Sequence, residues 1–497
     1  MTQPSAAFAR TEMIAPKEPP VSERGAVKWL RENLFSGPLN SILTVLGLLA
    51  MFLLVKAALP WLLNGVWHAG SLRECREIVA ANAGPDAHGA CWAMVRERWH
   101  QFIFGFYPQD MYWRPVLAFA LMIAGLAPIL YFGQRRANML IVGIAGILSF
   151  LAILVLGPMA DAVPGSAEHI STNKIGVVIF AGLLLGGLFF VAATRPEKLV
   201  WLSVLYPAIG FFLLWGGSVW APIGTLAGFA ILAAVWSVMQ KRLGVVVAAG
   251  VGLIVAAIWW LVVQTLVTTQ VHALLPLGLE QVDSDKFGGF LLAFVIGVAA
   301  IAASLPIGIL LALGRRSDMP LVKMLSVGFI EFIRGVPLIT MLFTASLLLQ
   351  YFLPPQTNFD LILRVIILVT LFASAYIAEV IRGGLAALPR GQYEAADALG
   401  LDYWQAQQLI IMPQALKISI PGIVSSFIGL FKDTTLVALV GLADPLQGIT
   451  KIVRADINWK GIYWEPFILV GAIFFIVCFS MSRYSMYLER KLKRDHR

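Results

Sequence analysis

The 497-residue chain predicts an all-α fold, a polytopic helical membrane protein. Three observations carry this reading. The composition is 59% hydrophobic and only 13% charged, with a mean hydropathy of +0.81, whereas a soluble domain carries about 25% charged residues. Apolar runs recur, each long enough for the roughly 20 helical residues that cross a bilayer. The runs do not alternate apolar with polar, as the strands of a transmembrane barrel would. The net charge of +9 fits the same picture. Basic residues cluster at the ends of apolar runs, as the positive-inside rule expects, so the charge is no sign of nucleic-acid binding.

Residues 1–36 are polar and carry Arg10, Lys17, Arg24, Lys28 and Arg31. They read as a cytoplasmic tail without a cleavable signal, disordered at least to Pro19-Pro20. Residues 37–286 hold about seven spans. The first, about Ser41–Leu63, leaves the cytoplasm. A polar loop at 64–112 follows and contains Cys75 and Cys91. Outside the membrane it faces an oxidising space, where the two thiols can pair or stay free. A bridge there would add on the order of 3 kcal/mol. Cys478 lies in a late span and reads as inert packing.

The next runs are Arg114–Phe132, Met139–Leu156, Lys174–Ala193, Lys198–Trp215, Ala221–Met239 and Gly244–Val267. Basic connectors at 134–136, 194–198 and 240–242 alternate with loops poor in Lys and Arg, which fixes the topology. The loops at 158–173 and 268–286 then face out. No charged pair within these spans suggests an ion path, and this half reads as scaffold.

Residues 287–490 hold five more spans. Phe287–Leu313 ends at the basic Arg315-Arg316. Leu321–Phe352 returns outward, Leu361–Leu385 comes back, and Ile418–Leu442 and Pro466–Leu488 complete the set. The basic residues 491–497 form a cytoplasmic tail. The parity puts both termini, and the stretch 391–413, on the cytoplasmic side.

That stretch, GQYEAADALGLDYWQAQQLIIMP, is too polar for hydrocarbon. It reads as two short helices. Pro389 and Gly391 break what precedes. Glu394 falls in a first helical turn, where a carboxylate suits the dipole. Gly400 supplies a left-handed turn, and Pro413 ends the second piece. The spacing of Glu394, Ala395, Ala396, Gly400, Ile410 and Pro413 resembles the EAA loop of ABC importer permeases, with Met412 where Leu is usual. The resemblance implies a type I ABC importer transmembrane domain, here preceded by additional N-terminal spans. It further implies that Tyr393, Glu394, Ala395, Ala396, Asp397, Ala398 and Gly400 couple to a separate ATPase.

Further motifs appear in family order. Glu331-Phe332-Ile333-Arg334-Gly335-Val336-Pro337-Leu338, the segment 373–384, Pro413-Gln414-Ala415-Leu416 and Phe431-Lys432-Asp433-Thr434-Thr435-Leu436 resemble signatures of the histidine/glutamine-type permeases. Asn33-Leu34-Phe35, Gly89-Ala90-Cys91-Trp92 and Phe104-Gly105-Phe106-Tyr107-Pro108 resemble the M-type permease of general L-amino-acid importers. The stretch from about 158 to 270 is longer than that subfamily leads one to expect. The resemblance implies uptake of glutamate, glutamine, aspartate and others across a bacterial inner membrane. It implies three protein partners: an ABC ATPase, a second Q-type permease and a periplasmic amino-acid-binding protein. Membrane lipid surrounds the chain.

No Walker A sequence occurs, and no His or Cys cluster has metal-ligand spacing. Catalytic residues, metal and cofactor are therefore expected to be absent from this chain, with ATP and Mg on the partner. An ion-coupled secondary carrier is the alternative, and it would need ionisable residues at a midplane site. Several charged residues have two readings. Glu331 and Arg334 are three apart on one face, and Glu379 precedes Arg382 by three. Each pair reads as a gate or substrate contact, or as an internal ion pair. Lys432, Asp433 and Thr434 read as a cavity lining, or as mutual partners.

Overall fold

The computed structural model describes residues 25–156, 174–352 and 360–494. The expected tail up to residue 24 and the whole outward loop at 158–173 lie outside these residues. The chain divides into two compact units, 1–94 and 95–497.

The first unit contains α1 (Gly25–Asn33), α2 (Pro38–Leu63) and α3 (Leu72–Ala83). α2 is a 26-residue apolar helix with Pro at its first turn and no buried residue. Ser71 caps α3 by accepting from the Glu74 N–H. Cys75 on α3 and Cys91 are joined by a disulfide, with Cα atoms 5.9 Å apart. Trp92 stacks on Trp67 with ring centres 5.6 Å apart. α4 (Ala93–Phe104) contains the unit boundary.

The second unit continues with α5 (Trp113–Leu130), α6 (Arg135–Leu156), α7 (Lys174–Thr194), α8 (Val200–Trp215), α9 (Trp220–Leu243), α10 (Val245–Ile258) and α11 (Gln264–Leu274). A π turn at Trp259–Val263 joins α10 to α11 within one span. A two-residue antiparallel pair, Gly217–Ser218 with Gly278–Leu279, is the only sheet among the described residues.

Next come α12 (Gly289–Arg315), α13 (Pro320–Gly335), α14 (Leu338–Phe352), α15 (Leu361–Ala386), α16 (Arg390–Ala398), α17 (Tyr403–Ala406), α18 (Met412–Asp433), α19 (Pro445–Ala455) and α20 (Trp464–Arg494). Among the described residues, 11 helices are long and apolar enough to cross a membrane, or 12 if the bent pair α13–α14 counts as one span. Small residues let the helices from α12 onward pack closely, as membrane helices require. A Cβ on Gly308 of α12 would come within 2.7 Å of Ile377 of α15. A Cβ on Gly384 of α15 would reach the Ala415 carbonyl of α18 at 2.6 Å.

Two expectations change. The run 321–352 is not one straight span, because α13 and α14 meet at 100°. Pro337 has no N–H to donate, and it forces Val336 into extended backbone at φ −104°, ψ 131°. Pro413 does not end a helix. α17 passes into a π turn at Gln407–Ile411, and α18 begins at once with Pro413 in its first turn. The wider π turn ahead of Pro413 absorbs its missing N–H within the continuous helix.

Candidate functional site: the polar loop helix and its supports

α16 runs from Arg390 to Ala398, with Pro389 at the N-cap position. Glu394 therefore stands in the second turn rather than the first, and the dipole reason offered for it loses force. The helix starts earlier because Gly391 is accommodated inside it. Ala396 is 1% exposed, and Tyr393 packs against the apolar cluster that holds Leu388 and Ile411. Glu394, Ala395, Asp397 and Ala398 are exposed.

The end of α16 is built from two capping devices. The Gly400 N–H bonds the Asp397 carbonyl at 2.9 Å, and the Leu401 N–H bonds the Ala396 carbonyl at 3.3 Å. This pair is the Schellman pattern, and Gly400 takes the left-handed φ of +70° that it requires. Asp402 then opens α17 with a capping box, its Oδ1 accepting from the Gln405 N–H at 2.8 Å.

Two side-chain bonds hold α16 against the spans. The Arg316 guanidinium, just past α12, donates to the Tyr393 hydroxyl at 2.8 Å and lies over that ring at 5.4 Å. Gln414 of α18 donates to Gln392 Oε1 at 2.8 Å. Around this frame Leu399, Tyr403, Trp404 and Leu409 are all more than half exposed. A polar loop that presents large apolar side chains marks an interaction surface.

Above the loop, Glu379 of α15 gathers three arginines. Its carboxylate lies 2.8 Å from Arg315, 3.1 Å from Arg382 and 3.6 Å from Arg334. Arg315 also reaches Glu331 at 2.8 Å. Arg382 and Glu379 thus pair as their spacing suggests. Glu331 and Arg334 do not pair with each other. A local helical pair contributes only about 0.2–0.5 kcal/mol, and each side chain is drawn instead to the network centred on Glu379, whose side chain is 14% exposed.

Lys432, Asp433 and Thr434 stand apart from this network, at the far end of α18. The 22 residues of α18 correspond to about 33 Å of helix. No ion pair joins Lys432 to Asp433 among the described residues. Lys432 sits in the last turn of α18, where a cation suits the dipole, and buried Thr434 donates to the Phe431 carbonyl at 2.7 Å. Among the described residues, no group of three or more His, Cys, Asp or Glu could hold a metal ion. Sequence reading missed Arg315, Arg316, Gln392 and Gln414, which meet their partners only through tertiary packing. It also missed the Asp402–Gln405 capping box, which the Asp-x-x-Gln spacing does signal.

Residues 304–494 match the family described as "Binding-protein-dependent transport system inner membrane component". The chain is 61% identical to the glutamate/glutamine/aspartate/asparagine transport system permease protein BztC of Rhodobacter capsulatus, over 99% of both chains. The chain belongs to the amino-acid ABC transporter permeases. It is also 35% identical to the inner membrane amino-acid ABC transporter permease protein YhdY of Escherichia coli, over 94% of this chain and 93% of that one. Both matches run through residues 158–270, so the length there is shared with relatives. A solved structure of an amino acid ABC transporter with histidines is 30% identical over 40% of this chain and 90% of its own, with a TM-score of 0.36. As an ABC permease subunit, the multi-pass chain works with a separate ATPase and a substrate-binding partner. This membership gives the ion-coupled alternative no support.

Proposed function

We propose that this permease carries polar L-amino acids, with glutamate, glutamine, aspartate and asparagine as the first substrates to test, across a bacterial inner membrane. It pairs with a second, Q-type permease. Both termini and α16 face the cytoplasm, and a periplasmic amino-acid-binding protein delivers substrate to the opposite face. ATP and Mg act on the ATPase.

The observation that carries the reading is the two-sided character of α16. One side is locked to the end of α12 and to α18 through Tyr393 and Gln392, and Ala396 is buried. The other offers Glu394, Ala395, Asp397 and Ala398 to a partner. A helix fixed in this way transmits a push without bending, so closure of the ATPase pair rocks the spans as rigid bodies. Glu331, Arg334 and Glu379 tie α13, α15 and the end of α12 together, which suits an inner gate that moves as a unit. Lys432, Asp433 and Thr434 are proposed as part of the substrate path at the opposite end.

The test is ATP hydrolysis and uptake in proteoliposomes holding the full complex. Hydrolysis that rises with the loaded binding protein, together with uptake, is the expected result. A complete complex that responds to none of the four amino acids would overturn the substrate class and leave the family standing.

A further inference from the structure

A long apolar groove is lined by α5, α8, α12 and α15, where Phe119 of α5 and Phe294 of α12 meet edge to face at 5.5 Å. Its volume is about 860 Å³, and its walls include Phe119, Val204, Phe294 and Val298. Two of its four polar side chains, Ser203 and Trp215, are satisfied within the protein, while the Tyr206 hydroxyl has no hydrogen-bond partner among the described residues. Ser203 donates to the Gly125 carbonyl at 2.7 Å, and the Trp215 indole donates to Ser284 at 2.8 Å. Asp360 is the one charged residue of the wall among the described residues. One oxygen of its carboxylate caps α15 by accepting from the Leu363 N–H at 3.0 Å. Its other oxygen has no hydrogen-bond partner among the described residues.

We infer that this groove is a binding site for one membrane phospholipid, its two acyl chains in the groove and an ammonium-bearing headgroup at Asp360. Length selects this occupant. The lining runs along α5 from Pro115 to Ile129, 14 residues or about 21 Å, and one leaflet with its headgroups is also about 21 Å, half of a 40–45 Å bilayer.

The polar end is equally specific. Pro115, Trp215, Leu291 and Asp360 lie at the ends of their helices and line the same cavity. An indole and a carboxylate gathered at that end belong at the membrane interface, and a lone carboxylate selects an ammonium over an anionic headgroup. The inference holds for either orientation of the chain in the membrane and does not depend on the substrate.

The test uses the full complex in nanodiscs with phosphatidylethanolamine carrying a diazirine on one acyl chain. After illumination, labelling is expected to concentrate on peptides with Phe119, Phe294 and Val298, severalfold above that on Ile144 and Leu148, which are exposed on α6. Val298→Trp fills the groove and should remove the excess at Phe119, while the complex elutes as before. Asp360→Asn keeps the cap and removes the charge. It should lower the preference for phosphatidylethanolamine over phosphatidylglycerol about threefold, the size of a half-exposed ion pair. Groove labelling no denser than on α6 would overturn the site, as would crosslinks from a photoreactive residue at 298 to a partner subunit. An unchanged headgroup preference in Asp360→Asn would overturn the role of the carboxylate.

Discussion

The Arg316 guanidinium donates to the Tyr393 hydroxyl at 2.8 Å, so the residue that ends α12 touches the middle of α16 directly. The same group lies over the Tyr393 ring and reaches the Leu385 carbonyl at 3.4 Å. Tyr393→Phe deletes one hydrogen bond and keeps the ring. A single bond of about 1 kcal/mol corresponds to about a fivefold loss of uptake per ATP hydrolysed. Arg316→Ala deletes all three contacts and should lose more. Unchanged stoichiometry in both variants would remove this contact from the coupling path.

Much of this site was legible because the loop is polar where its neighbours are not, and because Gly400 has a conformational duty that its spacing announces. The Glu379–Arg382 pair was legible for a similar reason, since three residues along a helix is a contact distance. Arg315 and Arg316 were read only as topology markers. Nothing local says that one will meet Glu379, 64 residues on, and the other Tyr393, 77 on. The bend at Val336-Pro337 was misjudged because composition alone makes 321–352 look like one span. The π turn before Pro413 was missed because the sequence shows a helix breaker and hides the wider turn that absorbs it.

Gly400 sits at φ +70° with open space where a Cβ would go. The cost of replacing it is therefore conformational, about 1–2 kcal/mol for an ordinary L residue. Gly400→Asn, which tolerates the left-handed region, should retain most uptake. Gly400→Asp adds a charge on the face proposed to meet the ATPase and should abolish uptake while the protein stays folded in the membrane. Wild-type transport by the Asp variant would rule out Gly400 as part of the lever.

Among the described residues, Glu379 is the one carboxylate shared by three arginines. Glu379→Gln leaves them facing each other in a partly buried site, so the cost should fall between about 1 kcal/mol for an exposed pair and about 3 kcal/mol for a buried one. Glu331 has a 54% exposed side chain and a single partner, so Glu331→Gln should cost less than about 1 kcal/mol. Thermal unfolding of the purified complex measures both. Equal effects would mean that the network has no centre.

The Cys75–Cys91 bridge closes a loop with a sequence separation of 16, for which the chain-entropy model gives about 3 kcal/mol. Maleimide labelling of the unreduced, denatured protein should modify Cys478 alone, and reduction should add two sites. Cys75→Ser with Cys91→Ser should speed proteolysis of residues 64–92 without changing the spans. Three labelled thiols before reduction would disprove the bridge in the cell.

Asp444 caps α19, its carboxylate accepting from the Leu446 and Gln447 N–H groups at 3.0 and 2.9 Å. It is 0% exposed and lies outside the membrane-spanning helices. Burial raises its carboxyl above the usual carboxylate range, outweighing the two N–H bonds and nearby Lys451, which lower it. The native state then holds this proton more tightly than the unfolded state does. Stability from this group is present below the unfolded value and falls as pH rises through the native one. Asn caps a helix about as well as Asp and carries no charge to desolvate. Asp444→Asn should therefore match or exceed the wild-type unfolding midpoint at pH 7 and lose that advantage towards pH 4. Asp444→Ala also removes the cap and should lie about 1 kcal/mol below Asp444→Asn at every pH. Midpoints measured at pH 4, 5, 6 and 7 separate the two effects. An Asn variant clearly weaker than wild type at pH 7 would show that the ionised carboxylate is worth more to the fold than its burial costs.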